Sequence, residues 1–97
     1  MFAQGRKGHH GGITVIGARS DAEIASRLGL VVPATAGPAV IRNRIRRRLR
    51  AAFVAAQPAS GFDVVVRADA HAGEAEFQQV VDNLKRALVG AGIECAG

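Results

Sequence analysis

The chain has 97 residues, with 13 Lys+Arg against 8 Asp+Glu, a formal net charge of +5 and an isoelectric point near 11.1. That length supports one domain with a modest core, and a composition 48% hydrophobic and 22% charged excludes intrinsic disorder. No stretch approaches the roughly 20 apolar residues of a spanning helix, which excludes a helical membrane protein; the first residues also lack the apolar core of a secretory signal. The single cysteine, Cys95, excludes an internal disulfide or a cysteine-based zinc site and points to a reducing compartment, so a cytoplasmic location is expected.

Residues 1–12 are polar and glycine-rich, and residues 13–18 (ITVIGA) read as a first, β-branched strand. Residues 19–25 form a charged connection of hairpin type. Residues 26–33 form a second strand, with Leu28, Leu30 and Val32 alternating on one face and Pro33 ending it. After a short loop, Pro38 suits the first position of a helix that runs from Ala39 to about Ala56. In that helix Ile41, Ile45, Leu49 and Phe53 recur every fourth residue, and Ala52 and Ala56 widen them into an apolar stripe about 120° across. Arg46, Arg50, Asn43 and Arg47 project from the opposite side, with Arg42, Arg44 and Arg48 at the margins. QPASG (57–61) breaks the helix, and 62–68 read as a third, buried strand. A second helix is expected over Glu74–Val89, with Phe77, Val80, Val81, Leu84 and Leu88 on its core side and Gly90 as its stop. This order predicts a two-layer α+β sandwich, a small sheet with both helices packed on it.

The charge is not spread evenly. Arg42, Arg44, Arg46, Arg47, Arg48 and Arg50 fall within nine residues, and the remaining chain holds seven bases against eight acids. No acid occurs between Glu23 and Asp63. A solvated helix face usually mixes signs, because opposite i,i+4 pairs support a helix; here Arg42–Arg46 and Arg46–Arg50 are like-charge pairs. Arginine presents a planar fork that fits phosphate oxygens bidentately, so the block points to a polyanion contact rather than to solvation. A membrane-surface helix would use its apolar face for lipid, but this one adjoins strands that need covering.

The segment AVIRNRIRRRLRAAF (39–53), following RLGLVV (27–32), resembles the protein component of bacterial ribonuclease P. The matching features are Arg42-Asn43-Arg44, then Arg46, Arg47 and Arg50, with Arg27, Gly29 and Gly37 upstream; GFDVVVRA (61–68) and the Phe77–Leu88 helix match the elements downstream. The resemblance implies a single RNA-binding domain over residues 1–97, with a mixed sheet and a left-handed β-α-β crossover of the kind seen in some ribosomal-protein domains. It further implies a chain without catalytic residues, an accessory subunit of an endoribonuclease. By the same resemblance, the RNA partner would perform the hydrolysis that releases the 5′ leader of precursor tRNA and would bind most of the Mg²⁺. Carried onto this sequence, Arg42, Asn43, Arg44, Arg46, Arg47 and Arg50 would contact ribonuclease P RNA. Phe2, Arg6, Lys7 and Ile16 would belong to the leader-binding part. Three departures stand out. The family's basic, aromatic-bearing first helix is expected to be largely absent, PATA (33–36) carries no lysine, and Ile16 stands where an aromatic is common. The alternative is a non-catalytic RNA-binding protein of ribosomal type using the same helix as a clamp. A DNA-binding regulator fits less well, because no short helix–turn–helix precedes the arginine helix.

The other features carry less chemistry. His9 and His10 lie between glycines, but phosphate-cradling glycine loops lead into a helix and this one leads into a strand, so they read as solvent-exposed loop residues without a metal role. Asp63 and Asp69 read as strand-end and loop acids, Cys95 as an inert tail residue, and Phe53 and Phe77 as core residues.

Overall fold

A computed structural model of the chain describes residues 6–19 and 27–96. Phe2 and most of the expected 19–25 connection lie outside the described residues. Four strands, β1 (Arg6–His10), β2 (Ile13–Arg19), β3 (Arg27–Val31) and β4 (Phe62–Ala68), form one sheet in the order β1-β2-β4-β3. Three helices accompany it: α1 (Ala39–Ala56), α2 (Ala70–Glu74) and α3 (Phe77–Gly90). The two-layer α+β architecture expected from the sequence is present, with a mixed sheet: β2 pairs antiparallel with β4, and β3 pairs parallel with it. A parallel pair cannot be joined by a tight turn, so α1 is the crossover between β3 and β4. β2 and β3 are therefore not the hairpin neighbours that the sequence suggested, because β4 lies between them.

The alternation along each strand gives the sheet two different faces. Ile13, Val15, Val64, Val66 and Ala68 are buried under the helices, with Leu28 and Leu30 packed beside them. Into the same core α1 sends Ile45, Leu49, Ala52 and Ala56, and α3 sends Val80, Val81, Leu84, Ala87 and Leu88. The opposite face of the sheet carries no helix among the described residues.

Strand β1 was not expected. The segment RKGHH is too polar to announce a strand by hydrophobicity. It is fixed by the turn that follows it, where Gly11 and Gly12 have φ of 58° and 81°. Positive φ at both central residues is the two-residue hairpin turn whose twist matches paired strands, and Gly-Gly supplies it without strain. His9 and His10 are thus strand residues rather than loop residues. The α3 helix then crosses β1 at Gly8, so closely that a Cβ there would lie 1.9 Å from the Ala87 carbonyl oxygen and 2.7 Å from the Ala91 amide.

The helix ends also depart from the sequence reading. Pro38 is not the first helical residue but the N-cap, extended at φ −63° and ψ 166°, with its carbonyl accepting from Ile41 and Arg42. The expected 74–89 helix begins three residues later, at Phe77, and a short separate helix, α2, precedes it. Asp69 caps α2 by accepting from the Ala72 amide at 2.9 Å, and Ala75 at ψ 158° and Glu76 at ψ 149° are extended before α3 begins. At the other end Gly90 is still helical. The reversal comes at Gly92, with φ 84°, and the Ile93 amide donates back to the Leu88 carbonyl at 2.9 Å. Phe77, expected in the core, is 41% exposed at the first turn of α3, whereas Phe53 packs against the core as anticipated.

Gly8→Ala is expected to force α3 off β1 and destabilise the fold by about 2–4 kcal/mol. Gly29→Ala, whose Cβ would meet nothing nearer than 3.8 Å, should change stability by no more than ~0.5 kcal/mol. Urea denaturation midpoints of the two variants check the contrast; equal midpoints would show that the glycine at the β1–α3 crossing is incidental.

Candidate nucleic-acid interface

The α1 helix divides its side chains by their surroundings. With Ile45, Leu49, Ala52 and Ala56 locked in the core, Asn43, Arg44, Arg47 and Arg50 emerge on one exposed face. Val40 and Val54, 67% and 74% exposed, bracket that face at its two ends. Arg42, Arg46 and Arg48 are half-buried along its flanks. The sequence put Arg46 at the centre of the exposed side and Arg44 at the margin; the structure reverses the two.

Two of the six arginines are committed to the protein itself. Arg42 donates from Nε to the Gly37 carbonyl at 3.2 Å, tying the helix to the turn before it. Arg48 donates to the Ala75 carbonyl, in the extended break between α2 and α3. Arg46 donates to the Asn43 side-chain oxygen at 3.1 Å, which aligns both groups along the surface. The exposed guanidinia of Arg44, Arg47 and Arg50 make no such bond with a described residue. They project three residues apart, a spacing suited to successive anionic oxygens.

A second surface is built by the sheet. The strand register lines up Lys7, Ile16, Val65 and Gly29 across β1, β2, β4 and β3 on the face away from the helices. The adjoining row runs His9, Thr14, Arg67 and Val31, and on the other side stand Ala18, Asp63 and Arg27. The result is an apolar floor with basic groups on both sides. One nitrogen of the His9 ring, Nδ1, lies 2.8 Å from Thr14 Oγ1, and Arg27 lies 3.6 Å from Asp63, the acid within this array. Lys7 and Ile16, grouped from the sequence, are direct cross-strand neighbours here. Arg6, grouped with them, is on the other face. It pairs with Gly17, and its guanidinium lies against Gly92, where a Cβ would come within 2.6 Å of it. There it sits beside the carbonyl end of α3, a favourable place for a cation. Sequence reasoning missed Arg67. Its signal was the alternation in FDVVVRA, which puts Asp63, Val65 and Arg67 on one face once Val64 and Val66 are known to be inside.

The remaining polar residues have local roles. Asp69 is a helix cap rather than half of a carboxylate pair, and Asp63 lies within β4. Among the described residues no three His, Cys, Asp or Glu side chains gather into a metal-holding group, and no helix is long and apolar enough to cross a membrane. Burial pushes the Cys95 thiol up from its ordinary range, with Lys85 acting weakly in the opposite sense.

Comparison with known proteins decides the family, because a family profile described as Ribonuclease P matches residues 1–92. The chain belongs to the ribonuclease P protein family. It is 35% identical over 95 residues to the ribonuclease P protein component of Kocuria rhizophila, covering 94% of this chain and 84% of that one. With the ribonuclease P protein component of Gluconacetobacter diazotrophicus it shares 33% identity over 99 residues, covering 99% and 85%. Among solved structures, a Staphylococcus aureus RNase P protein mutant superposes with a TM-score of 0.76 at 27% identity, over 93% of this chain and 77% of that one. The Thermotoga maritima RNase P protein in complex with 1-(4-fluorophenyl)-2-thiourea superposes with a TM-score of 0.73 at 28% identity, over 84% and 80%. The family is that of a tRNA-processing ribonucleoprotein, whose protein component this chain resembles over nearly its whole length.

Two outcomes follow from the geometry. Arg48→Ala should lower stability by about 1–2 kcal/mol, because it leaves the Ala75 carbonyl without its donor, while Arg47→Ala should leave stability within ~0.5 kcal/mol of the parent. Urea titrations at low salt separate them. The Cys95 thiol, protonated at neutral pH, should be alkylated by iodoacetamide with a pH–rate midpoint above that of an unstructured cysteine; a midpoint at or below it would mean the thiol is not desolvated.

Proposed function

We propose that the protein is the RNA-docking subunit of a cytoplasmic ribonuclease P. In this assignment Asn43, Arg44, Arg47 and Arg50 contact the catalytic RNA, flanked by Arg42 and Arg46. The single observation that carries it is the division of α1, whose apolar stripe is held in the core while its arginine face stands outside with no acid among its neighbours in sequence. The open sheet face takes the single-stranded 5′ leader of precursor tRNA. Lys7 and Arg67 hold phosphates there, Ile16 and Val65 offer an apolar floor to base or sugar, and Arg6 plays no part in it.

The division of labour follows from the chemistry of these side chains. Arginine and lysine neutralise phosphates, releasing counterions, and fix the register of an RNA strand without reading it. They supply neither a nucleophile nor a general base. Hydrolysis of the phosphodiester is therefore assigned to the RNA, which also holds the Mg²⁺ that the reaction uses. The protein raises the local concentration of leader beside the RNA and lowers the repulsion between two polyanions. A ribosomal-type clamp would use the same helix but would give the open face of the sheet no task.

Reconstitution with a bacterial ribonuclease P RNA tests the assignment. The protein should stimulate precursor-tRNA cleavage at low Mg²⁺, and absence of stimulation overturns it. If four to six phosphates are contacted, affinity for the RNA should fall with log salt at a slope of roughly −3 to −5. Arg47→Ala with Arg50→Ala should flatten that slope by about 2 while leaving the fold intact. Arg67→Gln should weaken binding of leader-bearing tRNA more than that of mature tRNA; equal losses would remove the open sheet face from leader binding.

A further inference from the structure

One cavity is left unused by phosphate docking. It lies between α1 and α2, has a volume of about 300 Å³, and is lined by Ile41, Arg44, Ile45, Arg48, Ala70 and Glu74. That volume is at the lower end of pockets that enclose small organic groups. Ile45 is buried, and Ile41 and Ala70 are half-buried, so half of the lining residues are apolar and the other half are charged. Arg48 is committed to the Ala75 carbonyl. Arg44 and Glu74 differ from it. They carry opposite charges, line the same cavity, and neither makes an ion pair or hydrogen bond with a described residue.

A guanidinium only donates and a carboxylate only accepts. A group that satisfies both must offer acceptors toward Arg44, donors toward Glu74, and apolar faces toward the isoleucines. Phosphate fails on two counts, since it offers acceptors alone and meets the charge of Glu74. Guanine fits. Its O6 and N7 are the acceptor pair that arginine forks take bidentately, and its N1–H and N2–H₂ give the carboxylate two donors. Adenine and cytosine offer a carboxylate one amino group, and uracil offers one imide N–H.

We propose that the α1–α2 cavity binds an unpaired guanine of RNA between Arg44 and Glu74. The site rests on α1 being the RNA-contacting helix and adds base selectivity to a surface that otherwise meets only phosphates. Guanosine, which has no phosphate, is the direct probe. Titrated into ¹⁵N-labelled protein, it should shift the backbone signals of Ile45 and Ala70 saturably and bind about tenfold more tightly than adenosine. Glu74→Gln should abolish that preference. Arg44→Lys, which keeps the charge but loses the fork, should weaken guanosine binding without disturbing signals elsewhere in the fold. Equal shifts from all four nucleosides, or none at the cavity, overturn the proposal. Salt-dependent binding of ribonuclease P RNA by the same preparation distinguishes the failures. If it persists when guanosine does not bind, the cavity site alone falls; if it is lost as well, the RNA-docking assignment falls with it.

Discussion

The parallel pairing of β3 with β4 governs the rest of the molecule. Two neighbouring parallel strands need a crossover, and the chain between them is α1. Because that helix must cover the inner face of the sheet, its apolar stripe is drawn inward and Arg44, Arg47 and Arg50 on the opposite face are turned to solvent. The same pairing places β4 between β3 and β2, so its own alternation decides both faces of the sheet at once. Val64 and Val66 join the core, while Asp63, Val65 and Arg67 are given to the outside.

Two basic surfaces result, and they differ in kind. The face of α1 is a row of guanidinia on a rigid helix, disfavoured as an isolated helix by like-charge repulsion of about 0.2–0.5 kcal/mol per pair. Tertiary contacts offset this: the buried stripe, the bond from Arg42 to Gly37, and the bond from Arg48 to Ala75 anchor the helix from three sides. The open sheet face is flatter and mixes valine and isoleucine with Lys7, His9, Arg27 and Arg67. A helix of arginines suits a folded, phosphate-dense RNA, and a half-apolar sheet suits a single strand whose bases are not all stacked.

Much of this was legible in the sequence because it depended on periodicity. The four-residue recurrence of Ile41, Ile45, Leu49 and Phe53 fixed the buried side of α1, and the arginine segment carried the family resemblance that the comparisons bear out. Elements whose cause is not periodic were missed. Strand β1 has almost no apolar residues and exists because a Gly-Gly turn folds it onto β2 and α3 covers Gly8. The break at Ala75 contains neither Gly nor Pro; an arginine 27 residues away holds its carbonyl, a contact that no local window contains.

The sequence by itself determined that a single arginine-rich amphipathic helix would dock on a small sheet, since a greasy stripe and a charged face are written in the spacing of the residues. Only the tertiary structure decided which of those arginines are left for a partner. Whether a guanidinium is exposed, as in Arg44 and Arg47, or bound to a distant carbonyl, as in Arg48, depends on what packs beside the helix. It also decided that Lys7 and Arg67 share a surface while Arg6 does not, because strand register alternates neighbours between faces and joins residues far apart in the chain.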